Sequence, residues 1–153
     1  MISILTHLCQ DHVDVLAHLV RLAGDSGTDP GSRPRQVSDL TRLLDEHMHF
    51  EEKTLYPLLM LHVDASAMGA RASAQHREID ALLASLGRGS GADETWSALV
   101  GALTEVMRRH FAEEEAMILP RLRRMMTDGM LRELASRYQA ARADVVVGAS
   151  LAR

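Results

Sequence analysis

Apolar residues recur at steps of three and four along four separate segments of the chain, the spacing of residues that share one face of an α-helix. In the first segment this stripe includes Leu5, Leu8, His12, Val15 and Leu19. A chain of 153 residues with 46% apolar content is long enough to bury one core. We therefore predict an all-α protein in which four amphipathic helices pack as a bundle.

Helix-breaking residues separate the four segments. Residues 24–34 and 87–91 are rich in glycine, serine and proline, which predicts loops or flexible connectors there. We expect the second helix to start near Ser38, the third to be capped by Asp64, and the fourth to start at about Asp93.

A fifth, shorter amphipathic segment follows the bundle. We predict a single domain over residues 1–153, with the bundle at about 3–127 and a short C-terminal helix at about 129–147. The run of valines at 145–147 is a poor helix former, so we expect this helix to fray. The C-terminal helix would pack either across the bundle or against a partner subunit. The protein is therefore expected to be a monomer or a homodimer.

Charge and composition exclude several partners. The net charge is -4, and no basic stretch is interleaved with aromatic residues, so nucleic acid is not an expected partner. No apolar run approaches the ~20 residues of a membrane span, and the N-terminus does not resemble a signal peptide, so we expect a cytoplasmic location. With Cys9 as the only cysteine, any metal must be held by histidines and carboxylates.

The motif His-x-x-x-Glu, followed by a proline six residues after the glutamate, occurs twice at a separation of 63 residues. The copies comprise His47, Glu51 and Pro57 in the first half of the chain, and His110, Glu114 and Pro120 in the second. The first and third helices each add one stripe histidine, His12 and His76, 64 residues apart. The chain is therefore predicted to be a duplicated helical hairpin, each half providing two histidines and one glutamate.

The positions of these six residues favour a metal centre. Residues four apart lie about 40° apart on a helix surface, so each His-x-x-x-Glu pair can grip one site. A carboxylate on an apolar stripe loses several kcal/mol of hydration, roughly, unless a positive charge compensates, and neither Lys nor Arg lies on these stripes near the glutamates. Four imidazoles and two carboxylates suit first-row metals, with iron favoured and zinc or manganese left open.

A simpler interpretation exists for most of the other polar residues. A single histidine on an apolar stripe is more often a hydrogen-bonded core residue than a ligand, but four with two glutamates at near-equal spacing favour metal. Cys9 is expected to be a small buried hydrophobic residue and Tyr56 to pack in the core, with a redox role for Cys9 and a reach of Tyr56 towards the metals left open. Glu52 and Glu115 are expected to be solvated or to support the ligands from outside, with a ligand role for either left open.

These residues resemble the hemerythrin-like, or HHE cation-binding, family. The similarity runs from about Leu8 to Leu122 and includes the segments 47–57 and 110–120. The resemblance implies an up-and-down four-helix bundle holding an oxo- or hydroxo-bridged pair of iron ions. It further implies terminal ligands at His12, His47, His76 and His110, and bridging carboxylates at Glu51 and Glu114.

The sequence departs from the oxygen-carrying members at one place. Those proteins have two histidines four apart on the third helix, whereas the residues four before and four after His76 are Ala72 and Asp80. One iron would then keep a labile position, which favours binding and activation of dioxygen or peroxide over simple oxygen carriage. The expected reaction is oxidation of a small substrate or breakdown of peroxide.

Two other classes of protein share parts of this pattern. One is a non-catalytic protein that binds, stores or senses dioxygen, nitric oxide or iron. The other is a ferritin-like bundle, which needs two Glu-x-x-His motifs. Only Glu46 with His49 has that spacing, and it lies on the wrong face.

Overall fold

The computed structural model describes residues 2–24, 32–62, 65–88 and 93–151, with residue 93 and residues 143–151 described by their backbone alone. Every regular element in these ranges is helical, as predicted. The α-helices are α1 (Ile4–Gly24), α2 (Ser32–Phe50), α3 (Tyr56–Met60), α4 (Ser66–Arg88), α5 (Asp93–Glu113), α6 (Leu119–Met125) and α7 (Asp128–Leu151). Two π-helical turns, Glu51–Leu55 and Glu114–Ile118, join α2 to α3 and α5 to α6.

Four long helical rods form the bundle: α1, α2 with α3, α4, and α5 with α6. Each rod packs against two others, because α1 contacts α2 and α5, and α4 contacts the same two helices. The predicted four-helix bundle is therefore confirmed. The last helix, α7, lies outside this ring and packs against α1 and α2. None of the helices in the described ranges is long and apolar enough to cross a bilayer.

The bundle interior consists of two apolar clusters. One extends from Val15 and Leu44 to Trp96 near one end of the bundle, and the other includes Leu8, Phe50, Leu55, Tyr56 and Tyr138. Each of the four stripe histidines comes between residues of the two clusters along its own helix. The clusters therefore cover a layer of ionisable side chains from both ends.

The two π-helical turns change which residues face the interior. After the first turn, Leu59 is fully buried and Leu58 only half-buried, and within the second turn Ile118 is buried while Met117 is 40% exposed. A regular helix that buries the histidine and glutamate of each motif would also bury Leu58 and Met117, so the regular stripe predicted from the sequence is wrong by one residue here. The cause is a wider turn, in which the amide of Tyr56 donates to the carbonyl of Glu51, five residues back.

Both π-helical turns precede a proline. Pro57 and Pro120 lie in the first turns of α3 and α6, where a residue without an amide hydrogen is tolerated. The amide of Leu119 repeats the bond of Tyr56 by donating to Glu114. The irregularity therefore belongs to the duplicated unit, 63 residues apart in the two halves.

Several helix limits differ from the prediction. Helix α2 begins at Ser32, earlier than the expected Ser38, since Pro34 is acceptable in a first turn. Helix α7 has 24 residues and is not short, because the β-branched residues at 145–147 cost a helix only a fraction of a kcal/mol each, roughly. The cap predicted at Asp64 lies outside the described residues.

Candidate metal centre

All six predicted ligands lie in the layer between the two apolar clusters, each at most 2% exposed. They form two groups that could each hold a cation. The first group is His12, His47, Glu51 and Glu114, and the second is Glu51, His76 and His110. Within each group one ligand atom of every residue lies within 4.8 Å of the others, and Glu51 belongs to both.

In the first group four buried atoms point at each other without forming hydrogen bonds. His12 Nε2 lies 3.3 Å from Glu114 Oε2, and His47 Nε2 lies 3.2 Å from Glu51 Oε1. All four atoms lack a hydrogen-bond partner. Buried polar atoms are nearly always paired, so four unpaired ligand atoms converging from three rods fit a bound cation.

The second group lies beside the first and shares Glu51 with it. His76 Nε2 is 3.2 Å from His110 Nε2 and 3.4 Å from Glu51 Oε2. Glu114 also approaches this group, with its Oε2 3.5 Å from His110 Nε2. Both glutamates therefore reach both groups, which is the arrangement that two bridging carboxylates require.

Tyr56 enters the centre, although the sequence predicted ordinary core packing for it. Its hydroxyl donates to Glu114 Oε1 at 2.7 Å and lies 3.2 Å from both Glu51 Oε2 and His76 Nε2. The π-helical turn explains the difference, because it brings the fifth residue after Glu51 onto the same side of the rod. The equivalent residue in the second half is Leu119, so this hydroxyl is unique to one half.

Burial together with the charges of Glu51 and Glu114 raises the pKa of Tyr56 well above its usual value. The phenol therefore keeps its proton beside the two carboxylates.

Two exposed glutamates orient His12 and His76. His12 Nδ1–H donates to Glu115 Oε1 at 2.7 Å, and His76 Nδ1–H donates to Glu52 Oε1 at 2.9 Å. Glu115 and Glu52 are 49% and 42% exposed and each follows a predicted bridging glutamate. They support the histidines from outside, one of the two roles the sequence left open.

Two buried residues orient the other histidines, and the sequence did not assign them a role. His47 Nδ1 lies 3.4 Å from Asp11 Oδ2, and His110 Nδ1–H donates to Gln75 Oε1 at 2.9 Å. Their signal in the sequence is position, because each directly precedes a stripe histidine. All four imidazoles thus have a polar partner at Nδ1, which leaves every Nε2 facing the centre.

Charges within the centre strongly perturb its titration. Burial opposes the charged form of His47, but Glu51 and the hydrogen bond to Asp11 raise its pKa to about 10. Burial also opposes ionisation of Glu51, yet the His47 charge holds the pKa of that carboxyl well below its usual range. Burial lowers the pKa of His110. The centre thus requires positive charge, which a proton on His47 or a bound cation can provide.

The remaining candidates lie outside the centre. Cys9 is half-buried against the second apolar cluster, and burial with the charges of Glu115 and Glu114 raises its thiol pKa. The raised pKa favours the neutral thiol, in accord with its predicted packing role. His49 is exposed on the outer side of α2, as expected.

A small cavity lies beside Glu114, between α4 and the second π-helical turn. It has a volume of about 180 Å³, and its lining includes Ala72, Gln75 and Glu114. Met68 and Met117 contribute to its wall. Ala72 is one of the two positions, four residues from His76, at which the sequence lacks a second histidine, and its short side chain leaves space in the wall of this cavity.

The fold and the two ligand groups define a hemerythrin-like protein. The sequence model of the Hemerythrin HHE cation binding domain matches residues 3–122, and the chain belongs to this family. It is also similar to the iron-sulfur cluster repair protein YtfE of Edwardsiella ictaluri (strain 93-146), with 29% identity over 138 residues. That alignment covers 77% of this chain and 62% of the relative, so the chain spans less than two thirds of that protein. No solved structure is significantly similar.

Proposed function

We propose that the chain holds two iron ions and uses them to bind and activate peroxide or dioxygen, with peroxide breakdown as its main reaction. His12 and His47 would hold one ion, His76 and His110 the other, and Glu51 and Glu114 would bridge them. The observation that carries the proposal is the convergence of four unpaired buried ligand atoms in the first group.

Iron is favoured by the chemistry of the donor atoms. Both groups consist of imidazole nitrogens and carboxylate oxygens without a thiolate, a mixed set typical of non-haem iron. The family and the YtfE relative, whose name concerns iron-sulfur clusters, support the same metal. Glu51 belongs to both groups, which favours a coupled pair of ions over a single one.

Bound iron would supply the redox steps, in which one peroxide is oxidised to dioxygen and a second is reduced to water. The protein supplies a dry layer between two apolar clusters, which excludes side reactions with solvent. Tyr56 keeps its proton at Oη beside Glu114, where the hydroxyl can donate a hydrogen bond that stabilises negative charge developing on a ligand oxygen. The cavity beside Ala72 is small enough to favour hydrogen peroxide over larger substrates.

The test uses purified protein reconstituted with ferrous iron under anaerobic conditions. We expect two irons per chain by elemental analysis, a visible absorption band after oxidation, and dioxygen release from hydrogen peroxide in an oxygen electrode. Replacing His110 by Ala should abolish this, while His49→Ala, which removes an exposed histidine from α2, should not. Iron-loaded wild type that leaves peroxide unchanged would refute the catalytic proposal.

A series of peroxides tests the role of the cavity. Turnover should fall steeply from hydrogen peroxide to cumene hydroperoxide, because the phenyl-substituted molecule would fill most of a cavity of about 180 Å³. Equal turnover of both would show that access to the centre does not depend on this cavity.

A second candidate function is iron binding and delivery without catalysis, favoured by the similarity to the YtfE protein. In that case the ferrous protein would transfer iron to an acceptor that lacks its cluster, and would not release dioxygen from peroxide. A stable, reversible spectrum with dioxygen or nitric oxide and no turnover would instead identify a binding or sensing protein.

A further inference from the structure

The duplicated halves differ in the residue that orients the second histidine of each half. Asp11 and Gln75 occupy equivalent positions, 64 residues apart, each directly before a ligand histidine. Each lies beside the Nδ1 of a histidine on the neighbouring rod, Asp11 with His47 and Gln75 with His110. One half therefore uses a carboxylate where the other uses a neutral amide.

The buried carboxylate of Asp11 is held by α7. Asp11 is 2% exposed, and its Oδ2, which faces His47, also accepts a hydrogen bond from the hydroxyl of Tyr138. Its Oδ1 accepts a hydrogen bond from Arg142, whose guanidinium also lies 3.4 Å from Glu46. The Tyr138 ring packs against Phe50 with ring centres 4.7 Å apart. Without these donors a buried carboxylate would be costly.

Gln75 has a different environment. Its amide donates to Glu113 at 3.0 Å, and Glu113 pairs with the exposed Arg71 at 2.7 Å. These residues belong to α4 and α5 within the bundle, so α7 contributes to the first half alone.

The partner at Nδ1 affects how strongly an imidazole binds a metal. A carboxylate that accepts the Nδ1–H gives the ring partial imidazolate character and makes Nε2 a stronger donor than an amide oxygen does. The two metal positions should therefore differ in affinity, although their direct ligands are nearly equivalent.

We propose that Asp11, held by Tyr138 and Arg142, is a positioning residue that makes the His12–His47 position the tighter of the two metal sites. Helix α7 lies beyond the matched residues 3–122, so this part of the chain would control a centre to which it contributes no ligand. The inference rests on the two-metal centre of the proposed function.

The test titrates the full chain with Co²⁺ in competition with a chelator, followed by the visible absorption of the bound ion. Wild type should bind two ions in separate steps, with dissociation constants about 10- to 100-fold apart, the usual effect of such a partner. His76→Ala should retain the tight step and His47→Ala should lose it, which assigns each step to a position.

Asp11→Asn gives His47 a neutral amide partner like the one that His110 has in the second half. The dissociation constant of the tighter binding step should therefore rise and approach that of the weaker step. Tyr138→Phe keeps the ring against Phe50 but removes the hydroxyl, and it should shift the same step in the same direction. The matched control is Asp39→Asn, an exposed aspartate of α2 outside both ligand groups, which should leave both steps unchanged.

The outcomes separate this inference from the proposed function. Two equal steps in wild type, or equal weakening of both steps in Asp11→Asn and Tyr138→Phe, would overturn the role of Asp11 while the metal centre stands. A wild type that binds no metal would overturn both.

Discussion

Replacing Tyr56 by Phe removes a single hydroxyl from the centre and leaves the ring in the second apolar cluster. The loss deprives Glu114 of its 2.7 Å donor. A hydrogen bond to a charged group contributes about 1.5–3 kcal/mol, so we expect the chelator-treated variant to be less stable by about 2 kcal/mol. In a domain of this size that corresponds to a melting temperature lower by about 4–8 °C.

The same variant should turn over peroxide about 100-fold more slowly, because removing one hydrogen-bond donor that stabilises charge developing in a transition state typically costs that factor or more. Calorimetry of the chelator-treated protein measures the first effect, and an oxygen electrode measures the second. Iron content is measured in the same samples, so that loss of metal is not mistaken for loss of catalysis. A suitable control is Thr104→Val, which removes a hydroxyl that donates to Val100 far from the ligands. A variant with full iron content and wild-type turnover would refute the role of Tyr56.

Two further predictions concern metal loading. Glu51 belongs to both groups and His12 to one, so Glu51→Ala should weaken metal binding at both positions and His12→Ala at only one. Elemental analysis after dialysis would measure the metal that each variant retains. The same metal content in both variants would contradict the role of Glu51 as a shared carboxylate. The pKa of His47 is about 10 in the metal-free protein, so metal binding at pH 7 should release about one proton or more, and the apparent metal affinity should rise as the pH approaches 10. Calorimetry in buffers of different ionisation enthalpy would count the released protons. A metal affinity that does not depend on pH would contradict this prediction.

The sequence predicted the bundle and the convergence of six side chains for the same physical reason. Histidine and glutamate on an apolar stripe must be buried, and the duplication brings equivalent stripes to the same depth. The structure confirms the bundle and brings His12, His47, Glu51, His76, His110 and Glu114 together. Their role as ligands remains a proposal.

A regular helix does not describe the two rods that contain the π-helical turns. A period of 3.6 residues cannot anticipate a wide turn, so it places Met117 in the interior and favours core packing of Tyr56 over contact with the centre. The proline that follows each turn was noted in the sequence, but a proline alone does not specify a π-helical turn. Asp11 was missed for another reason, since its partner Tyr138 is 127 residues away and only the tertiary structure brings them together.

The paired π-helical turns have a consequence for anyone who redesigns or aligns this scaffold. In each rod the part before the turn, α2 or α5, carries the ligand histidine, and the turn itself begins with the glutamate. The part after the turn, α3 or α6, closes the end of the bundle. Deleting one residue to restore a regular helix would rotate α3 relative to α2, or α6 relative to α5, by about 100°. Leu59 and Leu122, which are fully buried, would then face solvent. Deletions just after Glu51 or Glu114 should therefore be far less tolerated than conservative substitutions at the same positions.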